Sequence, residues 1–360
     1  MPENENTLSI SGSNVKCKNC GGNLTFDPVS QDLHCLNCDS HFVFDKNQTQ
    51  IKHQLIDGKS QDDTAKHNKW ASELKIVKCQ TCGAEIMLTG LEVSKTCPYC
   101  GSDYVSETNA LPGLKPDVVI PFAFNEERAA ELFVVGMKKK FFAPRALKKK
   151  LPNNKIRGIY IPSFTFDADT FTKYDGTLYK NETYHDAKGN SRTRKKYFKI
   201  SGTQSCNHRD YVEETSTQVN EKQVNAILPY DFSKSYEYDL NFIRGYSLEH
   251  YENRLDSCYQ NAKGKMEAEI RRIILSRYDY SGVDKLNMYH TYSNEQYSYR
   301  ILPVYFFEFL WKKKNYMVLM NGQTGKVGRQ YPKSILKISL VVLLAIIVVA
   351  SLVLLVLLPK

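Results

Sequence analysis

Eight of the ten cysteines in this chain fall into four CxxC pairs, and no other feature restricts the fold as strongly. Cys17, Cys20, Cys35 and Cys38 form C-x2-C-x14-C-x2-C, and Cys79, Cys82, Cys97 and Cys100 repeat the same spacing. Two CxxC knuckles joined by a short hairpin present four soft thiolates as a tetrahedron, which is the coordination zinc prefers. Gly21 and Gly83 directly follow the second cysteine of each set, where a tight turn calls for positive φ. The expectation is two zinc ions, one in each of two small tandem zinc-ribbon β modules. Flanking residues support a duplicated unit: KCKNCGGNL aligns with KCQTCGAEI, and CLNCDS with CPYCGS. Four protein thiolates leave no open position for water or substrate, so such zinc is structural. A redox CxxC would want one pair in a βαβ setting, not four pairs in hairpins. His34 and His41 lie near the first set, and with four thiols already present they read as bystanders.

The C-terminal segment is the next constraint. Ile338–Leu358 carries no charge and shows no polar face at helical spacing. About 20 apolar residues match the ~30 Å hydrocarbon core of a bilayer, so a transmembrane helix is expected over 335–358. Lys326, Arg329, Lys333 and Lys337 precede it. The positive-inside rule then leaves the N-terminal bulk in the cytoplasm, as in a single-pass tail-anchored protein of the cell membrane. The polar start, Met1–Asn14, lacks the apolar stretch of a secretory signal, and thiols kept for metal fit a reducing compartment.

Charge divides the chain. The formal net charge is +10, but Met1–Ala110 holds 10 Lys, no Arg and 14 Asp or Glu, so that part is −4 and the remainder +14. Phosphate contacts are made by Lys and Arg, so an acidic ribbon region without arginine favours a protein partner over nucleic acid. Basic residues concentrate instead at Lys138–Lys140, Lys148–Lys150, Arg192–Lys196 and Lys312–Lys314. On a membrane-tethered chain these runs read together as a face turned to anionic headgroups.

The order along the chain follows: a disordered leader (1–14), ribbon 1 (15–44), a polar connector (45–75), ribbon 2 (76–105), a linker (106–116), an α+β domain (117–331) and the terminal span. An internal duplication is expected in the α+β domain. Val119–Gly136 resembles Ile227–Gly245, and the strand IPSFTF (Ile161–Phe166) resembles LPVYFF (Leu302–Phe307). Thr177–Thr217 reads as hairpin strands turning at Asp186–Asn190. Leu248, Tyr251, Leu255 and Cys258 mark one helical stripe, and Met266, Ile270, Ile273 and Arg277 another. Tyr316–Gln330 reads as a hairpin with NG at its turn.

No catalytic motif is present. NGQTGK (Asn321–Lys326) lacks the spacing of a phosphate loop, and no HExxH, GxSxG or dinucleotide fingerprint occurs. Cys206, His208 and Asp210 are close in sequence, but a triad is assembled by folding and not by adjacency. Cys258 falls on an apolar helical stripe and reads as core. No enzyme, catalytic residue or organic cofactor is expected.

On KCKNCGG, KCQTCGAEI, CPYCGS, KPDVVIPFAFNEERA, IYIPSFTFDA and NGQTGKVG ahead of a terminal span, the chain resembles bacterial membrane proteins with transcription factor IIB-type zinc ribbons. Such proteins are sometimes labelled primosomal helicase-like, but the chain carries no ATPase motif. The resemblance implies a membrane component that works beside phage-shock and virion-core-like SPFH-type proteins, in envelope stress. The expected function is a membrane-anchored, cytoplasmic-facing adaptor that docks a protein partner, SPFH-type by that resemblance. The alternative is a membrane-tethered nucleic-acid binder in replication or transcription.

Overall fold

The structure is a computed structural model. It describes residues 16–47, 54–56, 74–89, 97–100, 102, 105–107, 114–149, 155–185, 187, 189–216, 218–250 and 255–357. The leader, most of the polar connector and most of the linker lie outside these residues.

Ribbon 1 is a small sheet of β1 (Leu24–Asp27), β2 (Asp32–Cys35) and β3 (His41–Phe42). The remaining strands form one 11-stranded sheet. In chain order they are β4 (Gln54–Leu55), β5 (Leu74–Cys79), β6 (Glu85–Thr89), β7 (Val105–Glu107) and β8 (Val118–Val119). The long strands β9 (Lys155–His185) and β10 (Ser191–Glu214) follow, then β11 (Tyr236–Glu237) and β12 (Ser247–Glu249). The last two are β13 (Gly282–Trp311) and β14 (Lys314–Asn321). Among the described residues four α-helices accompany them: α1 (Glu126–Lys138), α2 (Glu221–Ile227), α3 (Leu255–Leu275) and α4 (Ile335–Leu357).

The centre of the sheet is the antiparallel pair β9–β13, and it carries two-fold pseudosymmetry. Ile161 faces Leu302, Tyr160 faces Pro303, and Pro162 faces Ile301. The rotation that exchanges Ile161 with Leu302 also relates the flanking strands. Val118 and Val119 of β8 run parallel to β13 at Arg300 and Ile301, as Ser247 and Leu248 of β12 run parallel to β9 at Ile159 and Tyr160. Likewise Asn321 of β14 pairs with Val304 as Glu214 of β10 pairs with Ser163. The repeated unit is therefore strand, helix, long strand, return strand: β8–α1–β9–β10 and β12–α3–β13–β14.

The expected duplication is thus present in the second alignment and misplaced in the first. Ile161–Phe166 and Leu302–Phe307 are equivalent, but the counterpart of β8–α1 is β12–α3 and not Ile227–Gly245. The latter stretch forms the end of α2, two 3-10 turns and β11. Sequence similarity misled because Ile227–Tyr230 carries the same apolar-Pro-aromatic pattern as Val119–Phe122, without the helix.

Both repeat helices lie on one face of the sheet. Asn125 caps α1 by accepting from the Arg128 backbone N–H at 3.0 Å, with Glu126 and Glu127 in the first turn where the helix dipole favours acids. Its buried stripe is Ala129, Phe133 and Met137, and Phe133 stacks on Phe307 at 4.6 Å. In α3 the stripe includes Cys258, Tyr259, Ala262, Met266, Ile270 and Ile274, and Tyr259 packs on Phe166 at 5.3 Å. Cys258 is core, as expected. Of the first expected helical stripe, Leu248 is in strand β12, Tyr251 lies outside the described residues, and Leu255 and Cys258 are in α3; in the second, Ile274, more than Ile273, faces the core. The opposite face is covered by ribbon 2 and α2, through Val77, Ile86, Tyr99, Val224 and Ile227.

The hairpin expected across Thr177–Thr217 is β9–β10. Beyond the two-fold centre, β10, β9 and the start of β13 continue as a three-stranded arm, from Ala168 paired with His208 out to His185 paired with Ser191. Its inner face lies under α3, where Tyr174, Leu178 and Ile200 pack on Ile270 and Ile274.

The terminal helix leaves from the other end. Ser334 N–H donates to Phe142 O at 2.8 Å, and Lys337 Nζ donates to Phe141 O and Ala143 O, just past the end of α1. Among the described residues no helix is long and apolar enough to cross a membrane, and the side chains of α4 are described only to Ser351.

Candidate metal centres

Each four-cysteine set is gathered by two turns. In ribbon 1 the Gly21 N–H donates to Cys17 O at 2.8 Å, and Gly21 has φ 74°. In ribbon 2 the Gly83 N–H donates to Cys79 O at 2.9 Å, and Gly83 has φ 77°. Both glycines therefore occupy the left-handed region that the sequence required of them. The other two cysteines of ribbon 1 sit on a second such turn, with the Asp39 N–H bonded to Cys35 O at 2.9 Å and Asp39 at φ 60°.

The sulfurs converge. Cys17 Sγ lies 3.5 Å from Cys38 Sγ and Cys20 Sγ 3.5 Å from Cys35 Sγ. In ribbon 2 the corresponding distances are 3.6 Å for Cys79–Cys100 and 3.7 Å for Cys82–Cys97. A tetrahedron with Zn–S of about 2.3 Å has edges of about 3.8 Å, so both sets fit the ion closely. All eight cysteines are free thiols, two buried and two exposed in ribbon 1. No disulfide competes for them among the described residues.

The thiols also divide electrostatically, because neighbouring thiolates repel. Cys38 is lowered to about 6, chiefly by its hydrogen bond with the Ser40 hydroxyl, whereas in Cys20 the lowering by the Gly22 backbone N–H is outweighed by Cys38, Cys35 and burial, which push it up to about 12. In ribbon 2, burial raises Cys79, but backbone N–H groups of Cys82 and Thr81 outweigh it and bring the thiol to about 7. Burial drives Cys82 up to about 11. Four adjacent thiolates are tolerable only around a cation.

His34 and His41 do not complete either site. They are cross-strand partners that stack at 4.4 Å with 15° between their planes. Each ring is held by a carboxylate: His34 Nε2 lies 2.7 Å from Asp39 Oδ1, and His41 Nδ1 lies 3.0 Å from Asp32 Oδ1. Asp32 accordingly raises the His41 pKa. Together with Asp39 the two histidines form a largely exposed grouping whose ligand atoms lie within 4.8 Å of one another, separate from the four cysteines.

The two ribbons are built into the body in different ways. Strands β5 and β6 of ribbon 2 belong to the main sheet, β6 pairing with β12 at Met87–Leu248. Its second knuckle is clamped: Arg157 Nη1 donates to Pro98 O at 2.7 Å, Tyr99 packs edge-on to Phe306 at 5.2 Å, and the Tyr99 hydroxyl donates to Glu249. Ribbon 1 keeps its own sheet and docks through side chains and through the backbone, the Phe26 N–H donating to Arg244 O at 3.0 Å. Phe26 and Phe44 pack on Phe242 at 5.5 and 5.1 Å, and Gln31 Nε2 donates to Phe122 O at 2.8 Å. Three of its large apolar side chains remain in solvent: Val29, Leu36 and Val43 are 68%, 73% and 50% exposed.

Cys206, His208 and Asp210 are not brought together. His208 is buried against Thr170 Oγ1 at 3.0 Å, while Asp210 turns to the other side and pairs with Arg300 at 3.0 Å. Nothing local in the chain marks Arg300 as a fully buried cation; its register opposite Ser163 on the covered face explains it.

The four basic runs also separate. Lys138 ends α1 and Lys139, Lys140, Lys148 and Lys149 follow it, while Lys150 lies outside the described residues; Lys312 and Lys313 turn β13 into β14 at the same end of the sheet. Lys140 is lowered by burial and by the charges of Arg329 and Lys326, which places that cationic group together. Arg192–Lys196 sits at the arm tip instead. Along β9, the contour from Lys155 to His185 is on the order of 100 Å. The four runs are therefore not one face.

No family model matches this chain, and no solved structure matches it. It is similar to "Uncharacterized protein YdjG" of Bacillus subtilis (strain 168), 24% identical over 321 residues, covering 89% of this chain and 90% of that protein.

Proposed function

We propose that this protein is a tail-anchored, cytoplasmic-facing adaptor in which two structural zinc ions stabilise a body that presents ribbon 1 to a protein partner. The observation that carries this is the contrast between the ribbons. Ribbon 2 is spent on the main sheet, whereas ribbon 1 leaves Leu36, beside the ligand Cys35, and Val29 and Val43 in solvent. Large apolar side chains held rigid on a small metal-braced module suit a protein contact. By the resemblance described above, the partner is an SPFH-type protein.

The anchor rests on the sequence of α4. The apolar run Ile338–Leu358, with Lys326, Arg329, Lys333 and Lys337 before it, supports a single span with the body on the cytoplasmic side. Three basic runs gathered at the end where α4 departs support contact with anionic headgroups there.

Two experiments test this. Alkaline extraction of membranes should leave the full chain in the pellet and release a chain ending at Tyr331; release of the full chain removes the anchor. Proximity labelling from the full chain should mark a set of membrane-associated proteins that Leu36→Asp depletes while zinc content stays constant. Unchanged labelling in Leu36→Asp would remove ribbon 1 as the docking surface.

A further inference from the structure

The arm has one face under α3 and one face open. On β9 the open face carries Phe171, Lys173, Asp175, Thr177 and Tyr179, since alternate residues share a face. Register adds the neighbours row by row. Lys173 is flanked by Thr203 and Tyr289, Thr177 by Lys199 and Lys285, and Tyr179 by Tyr197. Along the arm the open face thus reads Phe171, then Lys173 beside Tyr289, then Asp175 between Ser201 and Asn287, then Lys199 and Lys285 about Thr177, then Tyr179 beside Tyr197.

These side chains are not core. Tyr289 is 63% exposed, Tyr197 53% and Phe171 43%. Lys195 lies over the Tyr179 ring at 4.3 Å, and Tyr179 and Tyr197 stand 5.8 Å apart. Two of the nearby acids are already engaged. Asp169 accepts from Asn207, Arg209 and Asn294, each at 2.8 Å, which lowers it to about 2, and Asp175 accepts from Asn287 at 2.8 Å. Lys173, Lys199 and Lys285 have no ion-pair partner among the described residues. Over 168–185, 191–209 and 282–294 the arm carries nine Lys or Arg against four Asp or Glu.

Guarding a bare edge strand accounts for lysines on β10, which among the described residues is unpaired along its outer side, but it does not account for exposed aromatic rings on the flat of the sheet. Rings interleaved with unpaired cations on an open sheet suit a chain that offers both π-faces and phosphates. We propose that the open face of the arm binds single-stranded nucleic acid, bases stacking on the aromatic rows and phosphates meeting Lys173, Lys199 and Lys285. The rows at Lys173 and Tyr179 are six residues apart on β9, about 20 Å, the length of a few extended nucleotides. A bilayer is the less suited polyanion, because the arm points away from the end where α4 departs.

The test uses the full chain in neutral-detergent micelles and a fluorescein-labelled oligothymidine read by anisotropy. Binding should weaken steeply with added salt. Phe171→Ala and Tyr289→Ala should each weaken it about 5- to 100-fold, and the pair Lys199→Glu, Lys285→Glu should abolish it, with zinc content unchanged. In the unaltered chain, oligothymidine should shield Lys199 and Lys285 from acetylation, a readout independent of any variant. Absence of binding at low salt would overturn the proposal. So would binding that the aromatic variants leave intact, or flotation with anionic vesicles that is lost in these variants while oligothymidine is ignored.

Discussion

Ile161 lies directly opposite Leu302 at the point where β9 and β13 exchange roles, and both side chains are fully buried on the face covered by ribbon 2 and α2. One rotation about that pair reproduces the parallel strand, the helix and the return strand of each half. The pair therefore belongs equally to both repeats, and neither half has a closed core without the other.

Truncating either residue should loosen both halves together. Ile161→Ala and Leu302→Ala are each expected to cost about 2–5 kcal/mol, the range for emptying a buried aliphatic site. The double variant should cost less than the sum, because direct neighbours share one cavity. Denaturant titration of the three variants measures this, and simple additivity would argue against a shared centre.

Loss of one metal site should spread differently from loss of the other. Cys79→Ser and Cys17→Ser should each lower the bound zinc from two ions to one, by metal analysis of the purified chain. Cys79→Ser frees the end of β5, a strand of the main sheet, so it should destabilise the body by several kcal/mol. Cys17→Ser should chiefly open ribbon 1, seen as protease cleavage within 16–44 while the body resists. Equal loss of the body in both variants would contradict the division between the ribbons.

Glu214 sets an expected pH dependence. Burial raises its pKa from the usual carboxylate range to about 7. A raised acid pKa means the folded chain holds a proton that the unfolded chain has released. Its contribution is thus intact below about 4.5 and is lost as pH rises through about 7. Glu214→Gln should remove that loss, gaining about 1 kcal/mol at pH 8 once solvent screening is allowed for, and nothing at pH 4. Thermal midpoints at both pH values check the sign.

Arg300 is fully buried and paired with Asp210 at 3.0 Å, and its guanidinium lies over the Phe232 ring at 4.4 Å. Asp210 is held at φ 53° where β10 shifts register, its N–H bonded to Asp167 at 2.8 Å. Asp210→Ala should cost about 2–3 kcal/mol by leaving a buried cation short of its partner. Adding Arg300→Met should recover most of that loss. If the double variant is no more stable than Asp210→Ala, the cost lies in the bulge and not in the charge.

What the chain determined by itself is whatever rests on spacing or on unbroken composition. Cys17 to Cys38 and Cys79 to Cys100 announce their sites because a tetrahedron of thiolates needs only a short local hairpin. The β9–β10 hairpin and the apolar stretch of α4 were legible for the same reason: each is a local pattern. The tertiary structure decided how these pieces were used. Only long-range pairing puts β5 and β6 of ribbon 2 into the main sheet, equates β12–α3 with β8–α1, buries Arg300, and sends Arg192–Lys196 to the opposite end from Lys138–Lys140. Strand pairing joins residues far apart in sequence, and a strand's own side chains alternate in the same way whichever neighbour it finds. The open, aromatic and basic face of the arm is such a product. Phe171, Tyr197 and Tyr289 come from three separate strands and share one face only through register.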